Sequence, residues 1–403
     1  VDKIPMHAPV VEMDGDEMTR VLWQMIKEEL IAPFVELQTV YFDLGLKNRD
    51  ATEDAVTVEA AYAVKKYHVG IKCATITPNA DRVREYGLRR MYKSPNGTLR
   101  AILDGTVFRT PIPAPCLMPY IRTWKKPITI ARHAYGDIYR AVECSAEAGD
   151  TAELVVSRQG AEFLRTPIYR FEGAGVVQGA YNKDASIEAF ADSCFRFALE
   201  EKQDLWFSCK DTISKTYDGR FRDIFARLYE EKYKALFEAE GLSYLYTLID
   251  DAVARAVRSE GGFLWACKNY DGDVMSDMIA SGFGSIAMMR SVLVSPSGDR
   301  EYEAAHGTIT RHYRRYLRGE QPSSNPVATI FAWTGGLCWS GKLNGNPQLV
   351  RWSCDMEKAV LQTIASGCIT KDLLPVYNGT PEVVSSAEFL RRVRESYLSL
   401  SGA

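Results

Sequence analysis

An α/β fold is predicted by two features of the sequence: strand-like apolar runs alternate with amphipathic helical runs, and the rhythm persists over most of a chain long enough for two or three cores. The length is 403 residues, with 46% apolar and 25% charged, the balance of a globular protein. Residues 10–13 read as a short strand. Residues 17–32 read as a helix with Met18, Val21, Leu22, Met25, Ile26 and Leu30 on one face. A strand at 35–43, a helix at 57–67 and a buried strand at 69–77 follow, then strands at 105–110 and 128–133. The segment 143–182 changes character. Its alternating runs at 152–157 and 163–171 predict antiparallel strands with one wet face, a small β-rich insert. The α/β rhythm resumes with a helix at 186–201, a strand at 205–209, a long helix within 220–240, a helix at 250–259 and a strand at 262–269. The end is mainly helical, at 325–341, 348–366 and 386–398.

Composition narrows the function. A net charge of -3 provides no global field for nucleic acid or an anionic membrane. An acidic ligand would therefore need a local cluster of cations. Nine cysteines without pairing or metal spacing point to a reducing compartment. Five histidines, with no His-x-His or His-Glu-x-x-His pair, disfavour zinc, so any metal is expected to have oxygen ligands. The uncharged stretch 321–341 is long enough to cross a bilayer, but its Pro326, Gly335, Gly336 and serines predict a buried helix instead. No secretory signal is visible, and the start at Val1 points to a segment removed or omitted upstream.

Two motifs mislead. Gly173-Ala-Gly175-Val-Val-Gln-Gly179 has one residue too many for a dinucleotide fingerprint and leads into an alternating run, so it is read as a turn into a strand. Asp271-Gly-Asp273 followed by Asp277 lacks the glycine and closing glutamate of a calcium loop.

Three constellations carry chemistry. The first holds Lys72, Thr75, Thr77, Arg82, the run Lys93-Ser94-Pro95-Asn96-Gly97-Thr98-Leu99-Arg100, then Arg109 and Arg132. Guanidinium groups fork onto carboxylates, and arginines at strand ends or loop exits can converge on a polycarboxylate. Ser94 and Asn96 are placed in a Pro/Gly turn. Each arginine taken alone reads as a solvated charge, so the group carries the argument. The second is acidic: Asp273 and Asp277, four apart at the start of a helix, and Asp250 with Asp251 at the start of another. They suit Mg²⁺ or Mn²⁺, and equally suit helix capping. The third, Ala304-Ala-His306-Gly307-Thr308-Ile-Thr310-Arg311-His312, places a glycine loop before a short helix, where backbone N–H groups and basic side chains meet an anion, or form an ordinary basic turn.

In this order, the three constellations resemble the dimeric eukaryotic-type NADP-dependent isocitrate dehydrogenases. The likeness runs from Val10-Val-Glu-Met-Asp-Gly-Asp-Glu-Met-Thr-Arg20 to Thr370-Lys-Asp-Leu373, through Lys72-Cys-Ala-Thr-Ile-Thr-Pro78, Arg132-His-Ala-Tyr-Gly-Asp137, Tyr217-Asp-Gly-Arg-Phe221 and Asn269-Tyr-Asp-Gly-Asp273. The resemblance implies an isocitrate/isopropylmalate dehydrogenase-like α/β fold. Its large domain would span residues 1–103 and 284–403, a small α/β domain 104–136 and 184–283, and a β-rich clasp 137–183 that interlocks with that of a second subunit. It implies isocitrate on Thr77, Ser94, Asn96, Arg100, Arg109 and Arg132. Tyr139 would be the catalytic tyrosine, and Lys210 a catalytic lysine lent by the neighbouring subunit. Asp273 and Asp277 would hold the metal with the neighbour's Asp250. NADP would meet Lys72, Thr75, Thr77, Arg82, Asn96, His306, Gly307, Thr308, Thr310, Arg311, His312 and Asn325. Arg255 and Arg258 replace the Gln and Lys usual in this family near the cofactor phosphate and keep positive charge there. The clasp diverges most, over 143–166.

The expected activity is metal-dependent oxidative decarboxylation of isocitrate to 2-oxoglutarate and CO₂, with NADPH as the other product, by a homodimer with shared sites. The resemblance places it in mitochondria, with the cytoplasm as the alternative. A C-terminal Ser-Lys-Leu-like tripeptide is absent. Lys210 is the expected base, with Asp273 as the alternative. A sister enzyme using isopropylmalate or homoisocitrate with NAD is the first rival, opposed by Arg311-His312 and by Ser94 and Asn96. A non-catalytic regulatory subunit should have lost one of these side chains, and all are present.

Overall fold

In the computed structural model, which describes residues 3–401, ten strands build one mixed sheet. The start at Val1 and the closing Gly402-Ala403 lie outside the described residues. The first five strands of that sheet are β1 (Val10–Asp14), β2 (Thr39–Asp43), β3 (Val69–Lys72), β4 (Thr106–Pro111) and β5 (Thr129–His133). An insert follows, β6 (Val142–Ala146), β7 (Thr151–Arg158), β8 (Ala161–Arg170) and β9 (Gly175–Gly179). The sheet resumes with β10 (Asp204–Cys209), β11 (Tyr244–Leu248), β12 (Phe263–Cys267), β13 (Met289–Val294) and β14 (Arg300–Ala304). The spatial order is β11-β10-β12-β5-β4-β13-β14-β3-β1-β2. The strands from β11 to β5 run parallel to one another, and so do those from β14 to β2. Two antiparallel strands, β4 and β13, join these halves.

Helices cover the sheet: α1 (Glu17–Ile26), α2 (Ala55–Tyr67), α3 (Pro95–Leu103), α4 (Asp184–Glu201), α5 (Tyr217–Leu228), α6 (Ile249–Arg258), α7 (Asn269–Phe283), α8 (Thr310–Tyr316), α9 (Val327–Leu343), α10 (Pro347–Ala365) and α11 (Ser386–Ser401). The face expected on the first helix is the buried one, with Met18, Leu22 and Ile26 packed inward and a π turn over Lys27–Ile31 at its end. Most of the uncharged stretch forms α9, buried between the sheet and α10. No helix among the described residues is long and apolar enough to cross a membrane.

Several expectations are corrected. The strand expected over 35–43 is two: Val35–Glu36 pairs with Ile4–Pro5, and β2 forms an edge of the large sheet. The strand expected over 69–77 ends at Lys72, which releases 73–78 as a loop. The long helix within 220–240 is broken by a π turn at Tyr229–Tyr233. The insert is antiparallel as expected, with β7 on β8 and β6 on β9. Both faces of β8 are nevertheless exposed within one chain, Phe163, Leu164, Ile168 and Tyr169 among them.

Candidate active site

Register places the charged residues. Lys72 pairs with Glu303, Glu303 with Ser291, and Ser291 with Arg109, so one row of side chains crosses β3, β14, β13 and β4 on a single face. Arg109 stands opposite Ile130 and Arg132 opposite Val107, which puts both guanidinium groups on that face as diagonal neighbours, roughly 7–8 Å apart at their bases. Arg132 lies near the end of β5, as expected of a strand end, whereas Arg109 is inside β4 and Arg100 comes from α3, which corrects the expectation for those two. Ser94 and Asn96 are likewise not in a turn. Ser94 is the N-cap of α3, Pro95 takes the first helical position, and Asn96 follows it.

The arginines are held by polar partners, most of them buried. Arg109 donates to Ser276 Oγ at 2.9 Å, and Arg132 Nε to Asn269 Oδ1 at 2.8 Å while a second guanidinium nitrogen reaches Asp273. Arg100 reaches Glu303 at 3.3 Å, and Lys72 lies 3.7 Å from the same carboxylate. Burial, then the nearby Arg100, lowers the pKa of both Arg109 and Arg132. Three cations pressed together in this way favour an anionic ligand. Burial also raises Glu303, but Lys72, Arg100 and Arg109 outweigh it and keep the carboxyl below its ordinary value. Arg100, Arg132 and Tyr139 line a cavity of about 710 Å³ together with Ser94, Thr98 and Asn269.

Tyr139 lies in the short turn Asp137–Arg140, with Arg132 4.8 Å above its ring, and its hydroxyl donates to Asp273 Oδ2 at 2.8 Å. Burial and the Asp273 bond push its pKa up to about 12, against the pull of Arg132, so the phenol stays protonated at neutral pH. Asp273 and Asp277 are on successive turns of α7, one turn further in than expected; Asp277 lies 3.8 Å from Arg109.

Of the residues expected to meet NADP, Arg82, Thr308 and Thr310 come together around Glu17, beyond the end of β14. Arg82 meets Glu17 at 3.0 Å and donates to Thr310 Oγ1 at 2.8 Å. Thr308 and Thr310 both donate to Glu17, at 2.5 and 2.6 Å. His312 Nδ1 lies 2.7 Å from Ser324 Oγ, and Arg311 is exposed beside it at the start of α8. Lys72 is buried beneath the site and bonded to Cys73 O. Asn325 is buried too, donating to Asp372 and accepting from Val327 N. Thr77 and Gly307 lie in the loops after β3 and β14. Thr75 Oγ1, Asn96 Oδ1, Arg109 Nε and His306 Nε2 are buried without a hydrogen-bond partner in the chain. Buried polar atoms rarely stay unpaired, and these four are free to accept or donate to a ligand.

Four expected residues are not brought there within one chain. Lys210, after β10, is 2.6 Å from Asp250 at the start of α6, and it lines a separate hollow of about 370 Å³ with Ile138, Tyr217 and Asp271. Arg255, paired with Asp251 at 2.6 Å, and Arg258 are also on α6. Asp250 and Asp251 lie in the first turn of α6, where their charge also suits the helix N-terminus. Among the described residues, no three His, Cys, Asp or Glu side chains converge as a metal site. The donors on α7 are hard carboxylate oxygens, the type Mg²⁺ or Mn²⁺ takes, but they are two in number.

Sequence reasoning missed Glu17, Asn269, Ser276 and Glu303. Glu17 and Asn269 fall inside quoted motifs, but nothing local says that their carboxylate or amide faces a cation. Ser276 became visible only with the helix turn that faces Arg109. Glu303 carried one usable signal, an acid in a short strand directly before Ala304-Ala-His306.

A mixed sheet with an antiparallel join, and a cationic row along it facing two carboxylates and a nucleotide-type loop, defines a dehydrogenase of acidic substrates. The profile described as isocitrate/isopropylmalate dehydrogenase matches residues 6–393, and the chain belongs to that family. Among its relatives are the mitochondrial NADP isocitrate dehydrogenases of Homo sapiens, Mus musculus and Sus scrofa, each 51% identical to it over 390 residues. The match covers 96% of this chain, 86% of the human and mouse proteins and 93% of the pig protein.

Proposed function

We propose that the protein is an NADP-dependent isocitrate dehydrogenase that oxidises and decarboxylates isocitrate to 2-oxoglutarate, a mitochondrial enzyme like the relatives whose names say so. The observation that carries the reading is the trio Arg100, Arg109 and Arg132, the last two of them buried, beside a protonated Tyr139. Thr77, Ser94, Asn96 and the trio would bind the three carboxylates. Thr75, Arg82, His306, Gly307, Thr308, Thr310, Arg311, His312 and Asn325 would bind NADP, with Lys72 beneath it and Arg255 and Arg258 reaching the phosphate from a second copy. Mg²⁺ or Mn²⁺ would be held by Asp273 and Asp277, with Asp250 of that second copy. When bound, the cation makes the substrate hydroxyl more acidic and NADP accepts the hydride.

Lys210 of the second copy is assigned to take the hydroxyl proton. Tyr139, protonated at neutral pH, is assigned to deliver a proton to C3 after CO₂ leaves. The arginines orient the substrate and offset its charge. A homodimer accords with this division of labour, because Lys210 lines another hollow in its own chain, with Asp250 paired to it. The apolar side chains on both faces of β7 and β8 support a clasp covered by the second copy. The domain division is residues 1–103 with 284–403, 104–136 with 184–283, and the clasp at 137–183.

The test is absorbance at the reduced-nicotinamide band with isocitrate and a divalent cation, and NADP or NAD in turn. Isocitrate with NADP is the expected productive pair. Activity only on isopropylmalate with NAD would overturn the reading. Within it, Arg311→Asp with His312→Ile should weaken NADP by a few kcal/mol, since charge-assisted bonds to the 2′-phosphate are lost and an acid is added. NAD, which lacks that phosphate, should change far less in the same titration. Equal losses would remove Arg311 and His312 from the phosphate site.

A further inference from the structure

α9 and α10 are an antiparallel pair joined through residues 344–346. Two contacts set their register: Thr334 donates to Glu357 Oε1 at 2.8 Å, and a Cβ on Gly341 would stand 2.9 Å from Val350 Cγ2. Midway between these contacts come Cys338 on α9 and Cys354 on α10. Both line a hollow of about 450 Å³, on the sheet face opposite the arginine row, where Phe108, Val292 and Tyr302 point. Cys354 is exposed and Cys338 partly so, whereas Cys73, Cys194, Cys209, Cys267 and Cys368 are buried. A disulfide needs Cα atoms within about 7 Å, and helices that meet through a glycine bring their backbones into that range. The established chemistry of the family uses neither thiol, and neither belongs to the site described above.

We propose that Cys338 and Cys354 are a redox-active dithiol that closes to an intrachain disulfide, with a small-molecule disulfide as oxidant. The exposed Cys354 attacks first as thiolate, which forms a mixed disulfide and releases one small thiol. Cys338, as thiolate, then attacks the Cys354 sulfur. The Cys338–Cys354 bond forms, the mixed disulfide breaks and the second small thiol leaves. Two electrons pass from the protein thiols to the oxidant, and their two protons end on the departing thiols. The bond would tether the helix pair that backs the site, because Gly335 packs on Tyr302 of β14 and Gly336 on Ile71 of β3.

The test treats the whole protein with excess oxidised glutathione, blocks free thiols and maps unreduced peptides by mass spectrometry. The expected result is a linked Cys338–Cys354 peptide that rises from none to most of the chains and disappears with dithiothreitol. In Cys338→Ser, Cys354 should stop as a stable glutathione adduct. A wild-type map in which Cys354 keeps that adduct, or stays unmodified, overturns the proposal, and this result does not depend on how well the variant folds.

Discussion

Arg132→Ala is expected to cost isocitrate about 1.5–3 kcal/mol of affinity, roughly tenfold to a hundredfold or more. The guanidinium is buried, and it is fixed by Asn269 and Asp273 before any ligand arrives. A pre-oriented donor fork spends little entropy on binding a carboxylate, so its removal costs more than that of a mobile surface arginine. The loss should be selective, because the nucleotide-side residues gather around Glu17 and α8. Calorimetric titration of each ligand checks this: isocitrate should weaken and NADP should stay nearly unchanged. Wild-type isocitrate affinity in the variant would put Arg132 outside the site.

Asp273→Asn is expected to raise the concentration of Mg²⁺ or Mn²⁺ needed for half-maximal rate and to lower turnover when the metal saturates. The substitution removes one of two anionic ligands on α7 but leaves an amide oxygen that can still accept from Tyr139 or Arg132. Asp273 is partly exposed, so the melting temperature should remain near that of the parent protein. A metal titration of rate, beside a thermal melt, separates a ligand loss from a folding defect. Wild-type activity that persists in excess chelator would contradict the carboxylate assignment outright.

The parts of the fold legible in the sequence were those with a local cause. β1 and α1 announce themselves by a fully buried run and a 3.6-residue apolar stripe, and α9 by an uncharged stretch too rich in glycine and serine for a membrane. The less legible parts depend on partners distant in sequence. β13 and β14 are paired on both sides, and β14 carries buried charge, Glu301 and Glu303, that no strand pattern suggests. Burial, then Glu303, raises the Glu301 carboxyl, whereas Lys72 and Arg100 hold Glu303 below its ordinary value. Residues 94–97 look like a turn because Pro and Gly dominate them, yet Pro at the first helical position is compatible with starting a helix. The candidate site was legible as a set of residue types and motifs. Its wiring was not, since Glu17 joins Arg82 to Thr308 and Thr310 across more than two hundred residues of chain.

The central claim is that each site is completed by a second chain, and mixed dimers test it most directly. Lys210→Met and Arg132→Ala should each be nearly inactive alone. Unfolded and refolded together at equal amounts, random pairing makes about half of the dimers mixed. Each mixed dimer then holds one site with an intact Arg132 and an intact Lys210, and one site with both defects. Activity should therefore recover to about a quarter of wild type. Absence of recovery in a preparation shown to contain mixed dimers would place Lys210 and Arg132 of the same chain in one site and contradict the account.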